Sequence, residues 1–510
     1  MPAPTFRLLS CLALATAAVT GSFASTAVAA PATDALLTIG PFLQQVGRTS
    51  ALVVWETDIA APSAVSYGPT SSLAHSAQDA NAVLHHVVKL DGLQPATVQY
   101  YRVDSAQQPS AVGQFTTEPD RAAPIRIGLL GDTRSNNSDH ASVIAAMLED
   151  GPYNFVLDTG DLVADGSQTG LWTTFFSIEK DMLRNAPLYP VLGNHEGTGP
   201  NFTKLFELPE DSAAPERYYS FRYGPVLVIG MDEYTSTYNA SSAQYGWIQQ
   251  TLAAAAQDSS IRHKIVELHA GPYDSGSHGS NMTVRNDLVP LFDQYAVDLV
   301  VSGHDHDYER STVNGIKYVV SGGGGAPLYS VPGDWWTETA ESTLHYCVLD
   351  VLGPRMEVTC KRPDGSQLDH FVIGEGLSEC TTAADCASKT PDDCAPQEAG
   401  AWACVANGCI WNCTAPGQGQ PDGGADAGGS GGSAGAGGGA SGTGGQSETP
   451  DGSAGMAGTP AGNTAVPANS SNDGSGCACQ TAGIGGSTAD IAWLCALGVA
   501  AAGLRRKRPS

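Results

Sequence analysis

Basic residues are scarce in this 510-residue chain: 25 Lys and Arg stand against 52 Asp and Glu, for a formal net charge of −27. Four of those bases sit together as Arg505, Arg506, Lys507 and Arg508. Too few remain to line a folded face, which speaks against nucleic-acid binding. Aromatic residues are also few, at 7%, whereas glycine reaches 60 residues. Part of the length is therefore low-complexity chain and not core. No uninterrupted apolar run reaches the ~20 residues that cross a bilayer, and no CxxC pair marks a zinc site. What is present still exceeds one core, so several domains are expected.

Both ends read as address labels. Residues 1–30 carry Arg7, an apolar run from Leu8 to Val19 and the small-residue pattern Ala27-Val28-Ala29, which predicts a secretory signal. At 477–510, Cys477-Ala478-Cys479 precedes an apolar stretch from Ile491 to Leu504 and then the basic cluster. This arrangement resembles the tripartite C-terminal sorting signals of some Gram-negative surface proteins; a retained tail anchor is the alternative. Either predicts an exported protein attached to the cell surface or outer envelope through its tail.

Residues 416–476 hold 21 Gly and no aromatic, Lys or Arg, a composition that cannot offset chain entropy by burial and predicts a disordered linker. Ahead of it, Cys380, Cys386, Cys394, Cys404, Cys409 and Cys413 place six cysteines in 34 residues. In an exported chain this predicts a small disulfide-rich module over 377–415, with connectivity open. Cys347 and Cys360 belong to a separate hairpin. Strands at 344–351 and 355–360 about a Gly353-Pro354 turn would set the two cysteines opposite each other, predicting a cross-strand disulfide.

Residues 31–120 read as an all-β sandwich, with strands at 51–55, 64–67, 86–90 and 98–103 between Gly, Pro and Asp turns. From Ile125 to about 376 strands alternate with helical stretches: 125–130, 153–158, 188–192, 264–268 and 298–302 as strands, 140–149 and 243–257 as helices. This is an α/β pattern, and such a sheet places ligands past its strand ends. Polar clusters stand there: Gly131-Asp132-Thr133-Arg134, Gly160-Asp161, Gly193-Asn194-His195-Glu196, Val266-Glu267-Leu268-His269 and Gly303-His304-Asp305-His306. Carboxylate, amide oxygen and imidazole form a ligand set for two divalent transition metals.

The five clusters in this order resemble the signature of the calcineurin-like metallophosphoesterases. Asn194-His195-Glu196 with Gly303-His304-Asp305-His306-Asp307-Tyr308-Glu309-Arg310 resembles the purple acid phosphatase branch, and the Leu93-Gln94-Pro95 corner and the Trp55-Glu56-Thr57 strand end resemble the fibronectin-type-III-like domain that precedes it there. The resemblance implies an α/β metallophosphoesterase sandwich after the all-β one. It implies two divalent metals (zinc, manganese or iron): Asp161 bridges, Asp132 and His306 complete the first site, and Asn194, His269 and His304 complete the second. A hydroxide held by the metals would attack a phosphomonoester in line. Phosphodiester hydrolysis is the alternative, as is a non-catalytic surface interaction protein on a degenerate phosphoesterase fold. His195 would stabilise the transition state or act as general acid, and His278 would face substrate or be a solvated loop histidine.

Two departures stand out. Ala164 occupies the place of the tyrosine that purple enzymes carry three residues after the bridging aspartate. Arg134 occupies the place of a histidine in many other metallophosphoesterases, and either faces phosphate or is a surface residue.

Overall fold

The computed structural model describes residues 34–414, apart from 120–122, 215, 375, 389–398 and 406–407, and only the backbone at 399, 405 and 410–414. The chain divides into two units, Met1–Asp426 and Ala427–Ser510. The second lies outside the described residues. So do the predicted signal at 1–30, the linker at 416–476 and the sorting segment at 477–510.

The first five strands are β1 (Leu37–Gln44), β2 (Ser50–Gly68), β3 (His75–Asp91), β4 (Val98–Val103) and β5 (Gly113–Thr116). They form one hydrogen-bonded sheet in the order β1-β2-β4-β5, with β3 also on β2. The stretches at 51–55 and 64–67, expected as separate strands, are halves of the one long strand β2. The β2–β3 register slips between Glu56 and Ala61 and again before Ser63, which absorbs Pro62 as an irregularity and not a turn. β1 lies along the first half of β2 and β4 along its last residues, so the long strand links the two sets. The core of this sheet, including Leu43, Trp55, Val65, Leu90, Tyr101 and Phe115, draws on all five strands.

The next elements are β6 (Ile125–Leu130), α1 (Asn137–Asp150), β7 (Phe155–Asp158), α2 (Thr169–Leu183), β8 (Leu188–Pro190), α3 (Phe202–Leu205), β9 (Tyr219–Tyr223), β10 (Val226–Gly230), α4 (Ala243–Ala255), β11 (His263–Ala270), α5 (Val289–Gln294) and β12 (Leu299–Gly303). After these come β13 (Tyr308–Val313), β14 (Ile316–Ser321), β15 (Thr337–Glu341), β16 (Tyr346–Leu352), β17 (Arg355–Lys361) and β18 (Gln367–Ile373). Two mixed sheets result, with orders β18-β17-β16-β6-β7-β8 and β15-β13-β14-β12-β11-β10-β9. Strand alternation sorts the core. Val226 and Val228 of β10 join the cluster that holds Ile127, Phe155 and Leu349 of the six-stranded sheet, while Leu227 and Ile229 join Ile248 of α4 and Phe292 of α5. The domain is a sheet-on-sheet sandwich with helices outside.

Cys347 faces Cys360 in the β16–β17 register and is bonded to it, as expected. The cysteine-rich segment adds a hairpin of β19 (Ala399–Val405) and β20 (Gly408–Thr414), tied by Cys380–Cys404 and Cys386–Cys409. The remaining pair of candidates, Cys394 and Cys413, has side chains outside the described residues. No helix among the described residues is long and apolar enough to cross a membrane.

Candidate metal centre

The central strands β6, β7, β11 and β12 run parallel within their sheets, so their C-terminal ends can deliver loops to one edge. The backbone turns sharply there. Asp132, Asp161 and His304 all adopt the left-handed conformation, with φ of 57°, 57° and 73°. Non-glycine residues seldom hold this conformation outside sites that over-determine it. The glycines beside them make room: a Cβ on Gly193 would overlap Asp161 Oδ1, and one on Gly303 would overlap Asp132 Oδ2.

Asp161 is 1% exposed. Its Oδ1 accepts the His195 N–H at 2.9 Å and lies 3.5 Å from His269 Nε2. Its Oδ2 accepts the Arg134 Nε–H at 3.0 Å. Asp132, fully buried, accepts the His304 N–H at 2.9 Å through Oδ2. Its Oδ1 has no hydrogen-bond partner and lies 3.5 Å from His306 Nε2. The His269 Nδ1–H is spent on the Thr159 carbonyl at 2.7 Å, leaving Nε2 as a lone pair 3.2 Å from Asn194 Oδ1. The His306 Nδ1–H is likewise spent on the Pro327 carbonyl at 2.6 Å. The rings of His304 and His269 meet edge to face at 5.0 Å.

Lone pairs facing lone pairs in a buried site cost free energy unless a cation lies among them. Atoms of Asp132, Asp161 and His269 all come within 4.8 Å of one another. The donor set is one that zinc, manganese or iron accepts, and the residues fit such ions. The imidazoles are held neutral, as ligation requires. Burial pushes His304 down to about 3 and His306 down to about 4, and it lowers His269. Burial and the Asp161 charge raise Asp132. Burial opposes ionisation of Asp161 too, but His269, the His195 amide and ring, and Arg134 outweigh it and hold that carboxyl low.

The supporting carboxylates were not singled out from the sequence. Glu196 accepts the N–H groups of Gly193, Asp161 and Val163 at 2.8, 3.0 and 3.2 Å, tying the Gly160-Asp161 turn to the Gly193–Glu196 turn. Glu233 accepts the His269 and Ala270 N–H groups at 2.7 and 2.9 Å. A carboxylate three residues past Gly193 carries a weak signal in the sequence; Glu233 carries none.

His195 donates Nδ1–H to the Ala164 carbonyl at 2.8 Å and is 31% exposed, so Nε2 is the nitrogen left for the opening. A cleft of ≈ 600 Å³ opens beside Asn194, lined also by Gly197, Thr198, Arg217, Tyr234 and Thr235. His278 is a loop histidine whose side chain is 42% exposed; its Nδ1 is 2.9 Å from Asp305 Oδ1, and its ring is 4.2 Å from that of His304. Arg134 is not a surface residue, being 14% exposed and bonded to Asp161. Tyr234 packs edge to face on His269, with ring centroids 5.6 Å apart. Tyr308 donates to Asp369 at 2.8 Å, and Tyr273 packs on Tyr318 and Trp336. Tyr329 presents its face to His306, stacked at 4.1 Å.

A match to the calcineurin-like phosphoesterase family spans residues 125–308, from β6 to the first residue of β13. An uncharacterized protein of Mycobacterium tuberculosis is 34% identical over 228 residues, 39% of this chain and 43% of its own length. Purple acid phosphatase 23 of Arabidopsis thaliana is 27% identical over 271 residues, covering 45% and 58%. Tartrate-resistant acid phosphatase type 5 of Mus musculus is 26% identical over 246 residues, covering 42% and 74%. The chain spans about half the length of the first two of these relatives. Among solved structures, a purple acid phosphatase from yellow lupin (Lupinus luteus) seeds shares the fold. Its TM-score is 0.57 at 20% identity, over 65% of this chain and 73% of that one.

Proposed function

We propose, from the premise that residues 125–308 are a calcineurin-like phosphoesterase domain of the purple acid phosphatase-like branch, that the protein is a metal-dependent hydrolase of phosphomonoesters. The observation that carries this is the convergence of Asp132, Asp161 and His269 within 4.8 Å, with the His269 N–H committed elsewhere. Asp161 would be shared between two clusters, Asp132 with His306 and Asn194 with His269 and His304. Divalent ions bound there would acidify water and neutralise charge on the phosphoryl oxygens.

The chain's own residues do the rest. Glu196 and Glu233 hold the ligand loops rigid through backbone N–H groups, so little reorganisation is needed at the moment of reaction. The Ala164 carbonyl holds His195 with Nε2 3.8 Å from Asp161 Oδ2, where it would donate a proton to the leaving oxygen or a hydrogen bond to the phosphoryl group. Asp305 fixes His278 beside His304, where its exposed ring would meet substrate. The disulfides Cys347–Cys360, Cys380–Cys404 and Cys386–Cys409 support work outside the cytoplasm, since such bonds persist in oxidising compartments.

The test is turnover of p-nitrophenyl phosphate against bis-p-nitrophenyl phosphate by the purified full chain, with manganese, zinc or iron added. Preference for the first supports the phosphomonoesterase reading. Preference for the second assigns a phosphodiesterase, and turnover of neither supports a non-catalytic protein on this fold.

A further inference from the structure

The two donor clusters that share Asp161 are not equivalent. In the second, the Asp161 Oδ1, Asn194 Oδ1 and His269 Nε2 lone pairs face one another with no cationic side chain bonded to them among the described residues. In the first, a guanidinium is already in place. Arg134 donates Nε–H to Asp161 Oδ2 at 3.0 Å, and its Nη2 lies 3.3 Å from His306 Nε2. The tautomer fixes the direction of that second contact. His306 spends its Nδ1–H on the Pro327 carbonyl, so Nε2 accepts and Arg134 donates. Two of the three atoms that the first cluster offers to a cation are therefore taken by a side chain of the protein. The third, Asp132 Oδ1, has no partner.

A guanidinium does not lose its proton at any pH the fold survives, so its charge is fixed. It also matches a carboxylate oxygen and an imidazole lone pair in one plane through neighbouring N–H groups. A divalent ion entering beside it meets a like charge at contact distance, in a site with little water to screen it.

We propose that Arg134 is the built-in cation of the first cluster. The chain then holds one divalent ion firmly, at Asp161, Asn194, His269 and His304. A second reaches Asp132 and His306 only by displacing the Arg134 guanidinium. This rests on the metal-centre reading above and goes beyond it, because it makes the two sites unequal through a residue that is not a ligand.

The experiment measures retained manganese per chain by mass spectrometry of the element after desalting, together with the calorimetric affinity of each ion. It compares the full-length wild type, Arg134→Gln, Arg134→His and Arg134→Lys, each checked for fold by circular dichroism. The wild type should retain one ion. Arg134→Gln removes the charge and Arg134→His adds a donor, so both should retain two, with the second ion bound about tenfold or more tighter than in the wild type. Arg134→Lys keeps a charge and should stay at one. Two retained ions in the wild type, or a single ion unchanged in the Gln and His variants, overturn the inference while leaving the metal centre standing. No retained ion in any of the four proteins overturns the metal-centre reading and the inference with it.

Discussion

In the proposed mechanism His195 acts on substrate without holding a metal. Its backbone N–H braces Asp161 and its Nδ1 is tied to the Ala164 carbonyl, which leaves Nε2 for substrate. His195→Ala should therefore lower kcat on p-nitrophenyl phosphate by ~10²–10⁴-fold, with metal content unchanged; parallel loss of metal would move it among the ligands. Ala164 itself makes a spectroscopic prediction. A purple colour needs a phenolate on ferric iron, and neither Tyr273 nor Tyr308 reaches the site, while Tyr329 offers His306 its ring face. The oxidised, iron-loaded protein should lack a strong absorption band at ~500–600 nm. A band there that bleaches on reduction would show a tyrosinate ligand after all.

At the scale of elements, the site depends on strand ends bent into the left-handed region, and these bends carry a plain sequence mark. Gly131, Gly160, Gly193 and Gly303 each stand directly before Asp132, Asp161, Asn194 or His304, and the apolar runs ahead of three of them are β6, β7 and β12. The Cys347–Cys360 pair was legible for a similar reason, because a two-residue turn fixes the register. Other elements left no such mark. α2 and the β9–β10 pair went unread, as did the joining of two stretches into the single strand β2, because tertiary packing decides those and not local pattern. Glu233 and Asp305 act from loops whose approach to the site only the fold creates.

The N-terminal sheet carries its own titration. His86 is fully buried, stacks on Trp55 at 4.7 Å, and bonds Thr57 and Ser63 at 2.8 and 2.9 Å. Burial, and after it the His85 charge, push it down from 6.5 to about 4. The unfolded chain then takes up this proton at higher pH than the folded one, so the contribution is complete above pH 6.5 and is lost as pH falls through about 4. Its size is on the order of 3 kcal/mol. The Tm advantage of wild type over His86→Gln should shrink across that window, and a constant difference would show that His86 does not titrate as described.

At the scale of the whole molecule, two sheets back to back bring the buried Asp132, Asp161, His269 and His306, the partly buried His304 and the exposed Asn194 to one cluster whose facing atoms are mostly acceptors. The chain's net charge of −27 fits that demand for cations but gives no hint of where they sit; the spacing of the motifs did. How the clusters share one positive charge with Arg134 could not be read from spacing, since the guanidinium reaches His306 across 172 positions. The central claim is that this cluster works only with metal bound, and the most direct measurement removes the metal and returns it. The full-length protein is stripped with a chelator, assayed on p-nitrophenyl phosphate, and titrated with manganese or zinc, with Asp161→Asn alongside. The account predicts loss of turnover on stripping, recovery on titration in the wild type, and neither full metal content nor recovery in Asp161→Asn, which weakens a carboxylate common to both clusters. Undiminished turnover by the stripped protein, or wild-type metal content and rate in Asp161→Asn, would contradict it.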